Sequence, residues 1–394
     1  MNRLFWCVWF LLLSGGVAGQ MQQKWFISDP KIDPERCRDL LLEIDNADFF
    51  KNNEYVSEIS KGYTLGGFWI IPKLVYFPSK NTKLEFGWYL LQYLGANHYP
   101  APSPAIVPDS LNASHPGKFR NKAFLRIQWS PLPDFHVVLG SLYGGANHGL
   151  IEPLYQWERY FSANPEDGVQ LLYKRPSLKA DLWINWQSFI FKNDPYLEQF
   201  VIGLSSEFIF TRPEKNWQLS MPIQFLGKHF GGQIDKTDFG TVSVGNGAVG
   251  FKAERNFGRK FLNSFSASAY GLFYSELGSR KLPYSTGNGM FGLLELDANP
   301  FFVHLGYWSS CQFISIEGEP LLQSLSYMDN HTLFRNREVA LAKAGFNKEI
   351  CKGLSIGAYF EGYYVRNQSE FNYTYGVHMR FNQQFFLKKL KIVD

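Results

Sequence analysis

Apolar and polar residues alternate along most of the chain from about residue 47 onward. In the stretch "ADLWINWQSFI", Leu182, Ile184 and Trp186 share one face, opposite Asp181 and Asn185. The stretches "WQLSMPIQFLGKH" and "FNYTYGVHMRFN" repeat this pattern. A period of two over about ten residues predicts β-strands with one apolar and one polar face. The chain is therefore predicted to be an all-β protein.

Three features separate a membrane barrel from a soluble sandwich with wet outer faces. The predicted strands are longer than the usual 5–6 residues, and their apolar faces end in aromatic residues. Short turns such as "PSKN" and "DANP" alternate with long loops such as "CQFISIEGEPLLQSLSYMDNHT". This arrangement is typical of a transmembrane antiparallel β-barrel with short periplasmic turns and long outer loops. We predict about 16 strands, with 14 as the alternative.

The two ends of the chain differ from its middle. Residues 1–19 have the basic start, apolar run and small residues of a cleaved signal peptide, with an uncleaved anchor as the alternative. Residues 20–46 are predicted to be a periplasmic leader, in which "DPERCRDLLLEID" forms one helix. The barrel is assigned to residues 47–386. Residues 387–394 form a short basic tail, unless the last strand runs further.

Composition narrows the class of protein. The 394 residues carry a net charge of only +4, which gives no nucleic-acid footprint, and 17% of them are aromatic, which is too many for a disordered chain. With a signal peptide, the predicted barrel indicates the outer membrane of a Gram-negative bacterium. Beyond Cys7 in the apolar run, the cysteines are Cys37, Cys311 and Cys351. Free thiols are the preferred state, and a bridge between Cys37 and Cys351 stays open.

The polar strand faces should line an aqueous interior, because sixteen strands enclose more space than side chains fill. The alternative is that each residue on these faces is an ordinary solvent-exposed polar residue with no role in solute selectivity. The predicted lumen-lining residues are Lys83, Glu85, Lys179, Asp181, Glu207, Lys228, Glu361, His378 and Arg380.

The stretch "NHGLIEPLYQWERYF" belongs to one long loop, residues 145–166. Pro153 can begin a helix that aligns Leu150, Leu154, Trp157 and Phe161 on one face. Such a stripe needs a wall, so we predict that the loop folds inward and narrows the pore; a surface flap is the alternative. The predicted constriction sets loop residues against wall cations: His148, Glu152, Glu158 and Arg159 against Arg120, Lys122 and Arg126.

Motifs for catalysis are sparse. The sequences "GNGAVG" and "GNGMFG" match a dinucleotide fingerprint, but strand-like residues follow them, so we read no nucleotide site. A hydrolase of the membrane surface would need Ser and His side chains adjacent at the outer rim, facing lipid. His229 is a candidate for that position, although a residue of the aromatic girdle is the ordinary reading. We expect no enzymatic activity, no cofactor and no metal.

A resemblance adds to this reading. The stretches "GYTLGGFWIIPKLVYFP", "NHGLIEPLYQWERYFSANPEDGVQLLY", "HFGGQID", "GYWSSCQFISIEGEPLLQS" and "YGVHMRFNQQFF" resemble the uncharacterised porin-like outer-membrane proteins of the Bacteroidota type. The resemblance covers nearly the whole mature chain and implies a barrel in the outer membrane. It implies no catalytic residues.

The leading prediction is a porin-like channel for passive diffusion of small hydrophilic solutes. The alternatives are a non-conducting barrel that binds surface glycan or a partner, with Trp157 and Trp308 as stacking platforms, and an outer-membrane lipid hydrolase. Expected partners are outer-membrane lipid, small hydrophilic solutes and the outer-membrane insertion machinery. A homotrimer is allowed by analogy with other sixteen-stranded porins, and no nucleic acid is expected.

Overall fold

The fold is a closed barrel. A computed structural model describes residues 26–95, 99, 117–162, 165–211, 216–234, 236–259, 261–278 and 280–390. The predicted signal peptide lies outside these residues. Sixteen strands pair in chain order, and β1 also pairs with β16. The strands are β1 Asp39–Glu54, β2 Tyr63–Ser79, β3 Thr82–Tyr93, β4 Phe119–Leu132, β5 Phe135–Ser141, β6 Asp167–Arg175, β7 Leu178–Ser188, β8 Gln199–Ile209, β9 Trp217–Phe230, β10 Val242–Asn256, β11 Ser264–Glu276, β12 Thr286–Ala298, β13 Phe301–Cys311, β14 Asn336–Cys351, β15 Leu354–Val365 and β16 Glu370–Lys389.

The residue pairing between strands shows that the sheet closes fully into a barrel. Ala47 of β1 pairs with Trp69 of β2 and with Arg380 of β16, all antiparallel. A closed sheet leaves no strand edge with unpaired backbone groups. The prediction of a sixteen-stranded antiparallel barrel is confirmed, and the fourteen-stranded alternative is wrong.

The two ends of the barrel differ. The start of β1, the end of β16 and the short turns lie at one end, which we call the turn end. The longer connections lie at the opposite end, which we call the loop end. Two of these, the 142–166 loop and the 312–335 loop, turn into the barrel. Among the described residues, no helix has the length and apolar character needed to cross a membrane.

The two faces of each strand follow the alternation in the sequence. On β7, Leu182 points outward and is 44% exposed, whereas Asp181 points inward and is 7% exposed. The inward side chains are buried because the two inward loops and the leader fill much of the interior.

The predicted boundaries need correction at both ends. The predicted leader helix is only a 3-10 turn, Pro34–Arg36, in which the Asp33 side chain accepts from the Glu35 N–H. β1 begins at Asp39, inside the predicted leader, because the alternation of Leu41, Glu43 and Asp45 inward continues the strand period. At the other end β16 continues to Lys389, so part of the predicted basic tail is strand. Residues 391–394 lie outside the described part.

Candidate functional site

The 142–166 loop lies inside the barrel, against the inward wall. Its predicted long helix is wrong: a 3-10 turn covers Gly145–His148, and one helical turn covers Arg159–Ser162. Between them the backbone is diverted to the other inward loop, because the N–H of Gln156 donates to Glu317 O at 2.7 Å. The predicted apolar stripe is nevertheless buried, and its members are Leu150, Leu154, Trp157 and Phe161.

Two glutamates fix this loop to the wall through partners other than those predicted. Glu158 forms an ion pair with Lys51 of β1 and accepts a hydrogen bond from the Tyr63 hydroxyl at 2.5 Å. Glu152 pairs with Lys343 of β14 at 2.7 Å. Burial raises the pKa of Glu158, but the charge of Lys51 outweighs burial, and the pKa is lowered. The Glu158 carboxylate therefore stays charged inside the barrel, and both carboxylates lie within ion-pair distance of a buried lysine.

His148 is held between two carboxylates. Its Nδ1 lies 2.8 Å from Asp181 Oδ2 and its Nε2 lies 3.2 Å from Glu166 Oε2. The ring stacks on Trp183 with centroids 3.6 Å apart. Burial lowers the pKa of His148, but Asp181 and Glu166 outweigh it and raise the pKa to about 9. At neutral pH this imidazole is a buried cation with both nitrogens engaged.

The two inward loops are joined to each other. Arg159 contacts Glu317 at 2.5 Å, and Lys228 of β9 reaches the same carboxylate at 3.2 Å. The N–H of Glu319 donates to Glu152 O at 3.1 Å. Burial, and then the charge of Glu152, raises the pKa of Glu319 to about 8. The loops thus form one body, which we call the plug.

The predicted wall cations lie on the inward face of β4 but do not meet the predicted loop acids. Arg126 donates to Glu85 at 2.9 Å and to the carbonyl of Leu142 at 2.7 Å. Lys122 pairs with Asp167 at the start of β6. Arg120 lies nearer the loop end, where it acts electrostatically on Tyr89. Arg126 and Lys122 therefore pair with Glu85 and Asp167 instead of the predicted loop acids, so the predicted pairing is wrong for these two cations.

The predicted lumen-lining side chains all point inward, and most are paired. Lys83 lies 3.6 Å from Glu85, Lys179 lies 3.0 Å from Glu207, and Arg380 lies 3.2 Å from Asp45. The other members have the following neighbours: Asp181 binds His148, Lys228 binds Glu317, Glu361 lies 3.4 Å from Lys343, and His378 lies beside the ring of Phe26 at 5.6 Å.

Two cavities lie on the turn-end side of the plug. One of about 390 Å³ is lined by His148, Asp181 and Glu207 among others. The second, of about 510 Å³, is lined by charged groups that include Lys83 and Arg126. Ile27, Ser28 and Asp29 of the leader line both cavities, so these residues lie inside the barrel. Among the described residues, no group of three or more His, Cys, Asp or Glu side chains is arranged to hold a metal ion.

A different pair lies on the outside of the wall. His229 and Ser243 face each other across β9 and β10, each next to the loop end of its strand. The His229 Nδ1 lies 2.8 Å from the Ser243 Oγ. Because Lys228 and Val242 point inward, the strand alternation turns His229 and Ser243 outward. A hydroxyl and an imidazole at this distance are the elements of an activated nucleophile.

The surroundings of this pair are aromatic and small. Phe200 of β8 stacks on the His229 ring with centroids 4.8 Å apart. Glu198, whose Oε1 accepts from the Trp186 indole at 3.2 Å, acts electrostatically on His229. The next outward pair toward the middle of the wall is Gly227 and Gly245, so no side chain projects there.

A family comparison bears on whether the protein is an enzyme. The family model described as "Lipid A 3'-O-deacylase-type" matches residues 32–390. The chain belongs to the lipid A 3'-O-deacylase-type family. The expectation that the protein is not an enzyme is therefore corrected, because the family carries the name of an enzyme. No curated protein matches the chain.

Solved structures with a similar fold are outer-membrane proteins. OpdK of Pseudomonas aeruginosa aligns with a TM-score of 0.48 and 9% identity, covering 89% of this chain and 100% of that one. OccAB4 of Acinetobacter baumannii aligns at 0.47 and 9%, covering 90% and 100%. A loop-deletion variant of OmpT from Vibrio cholerae aligns at 0.47 and 11%, covering 86% and 98%.

Sequence reasoning named His229 but missed Ser243 and Glu198. Their partnership depends on the register of β8, β9 and β10, which no local motif encodes. The sequence did hold one indication of the pair. His229 near the end of β9 and Ser243 near the start of β10 both fall at positions of the alternating pattern that face outward, on either side of one loop. The aromatic platforms suggested for a glycan-binding barrel are wrong, since Trp157 and Trp308 are buried inside the barrel.

Proposed function

We propose that this member of the lipid A 3'-O-deacylase-type family is an ester hydrolase that acts on an acylated lipid of the outer leaflet. The observation that carries the proposal is the outward Ser243–His229 pair, with 2.8 Å between Oγ and Nδ1. Lipid A is the substrate class that the family name suggests. The outer membrane of a Gram-negative bacterium is the proposed location, reached through the predicted signal peptide.

The height of the pair on the wall supports a lipid substrate. His229 is the last residue but one of β9, and Ser243 is the second residue of β10. In a barrel whose loops face outside, this position lies near the headgroup level of the outer leaflet. The outward residues further along β9, including Phe225 and Ile223, are apolar. An acyl ester lies at this boundary between headgroups and hydrocarbon.

The chemistry follows from the two side chains. The neutral His229 imidazole accepts the Ser243 hydroxyl proton while Oγ attacks the ester carbonyl carbon. The bond between that carbon and the alkoxy oxygen breaks, and the imidazolium returns its proton to the departing oxygen. The acyl group is then held on Ser243 as an ester. Water, deprotonated by His229, attacks that ester, releases the fatty acid and restores the Ser243 hydroxyl.

Neighbouring residues fit this role. The Glu198 carboxylate favours the imidazolium that forms during each transfer. The side chains of Phe225 and Leu277 lie beside Gly227 and Gly245, so a Cβ at Gly245 would come within 3.3 Å of Leu277 Cδ1. The outer wall next to the Ser243–His229 pair is therefore apolar, which suits contact with an acyl chain.

The interior histidine fits this role less well. Both nitrogens of His148 face carboxylates, and its pKa of about 9 keeps it protonated at neutral pH. An imidazolium cannot take a proton from a nucleophile. The residue is also only 1% exposed, inside the plug, where no bilayer lipid reaches it directly.

The test uses purified protein in vesicles that contain lipid A, with released fatty acid measured by mass spectrometry. Ser243→Ala should abolish release. Ser275→Ala, which removes an outward hydroxyl from the adjacent strand β11, should leave it unchanged. A heat-modifiable gel shift verifies that both variants form barrels. Full activity in folded Ser243→Ala would overturn the proposal.

A second function, passive diffusion of small hydrophilic solutes, is favoured by the two charged cavities below the plug. For solutes to cross the barrel, the 142–166 loop must either leave the lumen or form the narrowest point of a continuous aqueous channel. In this second proposal, the constriction residues predicted from the sequence would line the narrowest part of the pore, and the chain would form a homotrimer. Assembly by the insertion machinery and a Bacteroidota-type origin also remain proposals. Deleting residues 150–161 should raise single-channel conductance, and unchanged conductance would contradict a pore narrowed by this loop.

A further inference from the structure

The outward face of β1 carries polar side chains where its neighbours are apolar. Asn46 and Asp48 have the same outward phase as Phe50, because Ala47, Phe49 and Lys51 point inward. Asp48 pairs with Phe68 of β2 and with Met379 of β16. The outward side chains around it are apolar, namely Ile44, Phe50, Phe68, Ile70, Val377, Met379 and Phe381.

This position is far from either end of the wall. Asp48 lies six residues from the loop end of β1 and nine from its turn end, Asp39–Glu54. A strand rises about 3.3 Å per residue and tilts in a barrel, so Asp48 lies about 15 Å below the rim of the strand. A carboxyl group facing hydrocarbon is costly, and such groups mark functional positions.

The local hydrogen bonds leave Asp48 with capacity to bind. The Asn46 amide donates one hydrogen bond to Trp69 O at 2.8 Å and also hydrogen-bonds the Asp48 side chain. A carboxylate has about four acceptor positions. The remaining positions face outward, where only lipid or another membrane-embedded protein can supply donors.

A second group of polar side chains lies nearer the rim. Higher on the same outward face, the Asn52 amide donates to Glu54 at 2.6 Å and lies 3.3 Å from the Tyr375 hydroxyl. The Thr64 hydroxyl donates to Asn52 Oδ1 at 2.6 Å. Between the two polar groups, Phe50 faces Gly66, where no side chain projects. We call the outward residues Asn46, Asp48, Asn52, Glu54, Thr64 and Tyr375 the polar track.

We propose that the polar track binds one lipid of the outer leaflet whose acyl chains carry N–H or O–H donors close to the headgroup. Amide-linked or hydroxylated chains have such donors, and they meet the acceptors of Asp48 and Asn46. Ordinary glycerophospholipids have only ester acceptors at that depth and leave the carboxyl group uncompensated. The headgroup would contact Asn52, Glu54 and Tyr375.

This site is separate from the proposed hydrolase site. β1 and β9 lie on opposite sides of the sixteen-strand ring. The proposal therefore stands or falls without Ser243, and the two sites would hold different lipid molecules.

The test measures lipid retention by native mass spectrometry after extraction from mixed vesicles of lipid A and phosphatidylethanolamine. Ser243→Ala is the background, so that bound lipid is not consumed. Lipid A should remain bound, and adding Asp48→Leu should reduce its retention about tenfold. Asn288→Leu, which replaces an outward polar side chain on β12, should leave retention unchanged.

Three results would overturn the proposal. Equal lipid A retention with and without Asp48→Leu would show that the track does not bind it. Retention of phosphatidylethanolamine that depends equally on Asp48 would contradict the donor requirement. A dimer of the chain that dissociates in Asp48→Leu without any lipid loss would assign this face to a second copy instead.

Discussion

Two histidines show how the side of the wall decides the chemistry of a side chain. His148, inside, lies between Asp181 and Glu166 with both nitrogens occupied. His229, outside, faces a single hydroxyl, that of Ser243, and stacks on Phe200. The first is a structural cation that fixes a loop. The second contacts a hydroxyl group through one nitrogen, as a general base must.

The same contrast holds for the two regions as a whole. Inside, charged side chains are numerous, and the buried ones we describe are mostly compensated by a partner within 4 Å. Outside, polar side chains are few, and those that occur stand out against aromatic and aliphatic neighbours. Abundant charge in the lumen therefore supports packing of the plug, while a rare polar pair on the outer wall points to function.

The largest effect on lipid deacylation should come from replacing each of the two histidines separately. His229→Asn removes the base and should lower lipid deacylation by about 10³-fold, within the range typical for general-base removal. His148→Asn should change it by less than about threefold. The assay is fatty-acid release from lipid A vesicles. The opposite ranking would move the active site into the lumen.

Breaking a plug ion pair should have the next largest effect, on stability alone. Glu158→Gln leaves Lys51 buried without its counter-charge, which costs about 3 kcal/mol. Hydrogen exchange in residues 142–162 should then accelerate by about 10²-fold. Glu58→Gln, at an exposed position, is the control. If exchange is unchanged in the Glu158 variant, the plug is not held by this pair.

The plug should also loosen in alkali. The pKa of Glu319 in the inward loop is about 8, above its ordinary value of 4.5, because burial and Glu152 disfavour its charge. The contribution of Glu319 to the stability of the inward position is therefore fully present below about pH 4.5 and is lost as pH rises through about 8. Lys51 and Lys343 oppose this loss without removing it.

Channel recordings in planar bilayers check this pH dependence. Openings should be more frequent at pH 9 than at pH 5, and Glu319→Gln should reduce this difference. The remaining difference belongs to His148, whose pKa of about 9 lies in the same range. Wild-type recordings that do not change between these pH values would show that Glu319 does not control the position of the loops.

A smaller effect should follow from Glu198. Glu198→Gln removes the charge that favours the His229 imidazolium, and deacylation should fall by about tenfold. The acid limb of the pH–rate profile should move to lower pH, because His229 then binds its proton less tightly. A tenfold loss with an unmoved profile would give Glu198 only a structural role.

The sequence predicted the barrel because its period of two is a local property that any strand must show. It also predicted that the apolar stripe from Leu150 to Phe161 needs a wall. It did not predict that this loop lacks a long helix, since the hydrogen bond from Gln156 goes to Glu317, which is distant in sequence. The Ser243–His229 contact and the partners of Glu158 likewise depend on register between strands.

The most direct test of the central claim is covalent labelling of the nucleophile. A fluorophosphonate reacts with a serine hydroxyl that a neighbouring base activates, and peptide mass spectrometry locates the adduct. Wild-type protein in lipid vesicles should be labelled at Ser243, and His229→Asn should abolish the label while His148→Asn keeps it. A label on another serine, or none on a protein that releases fatty acid, would contradict an outward Ser–His site.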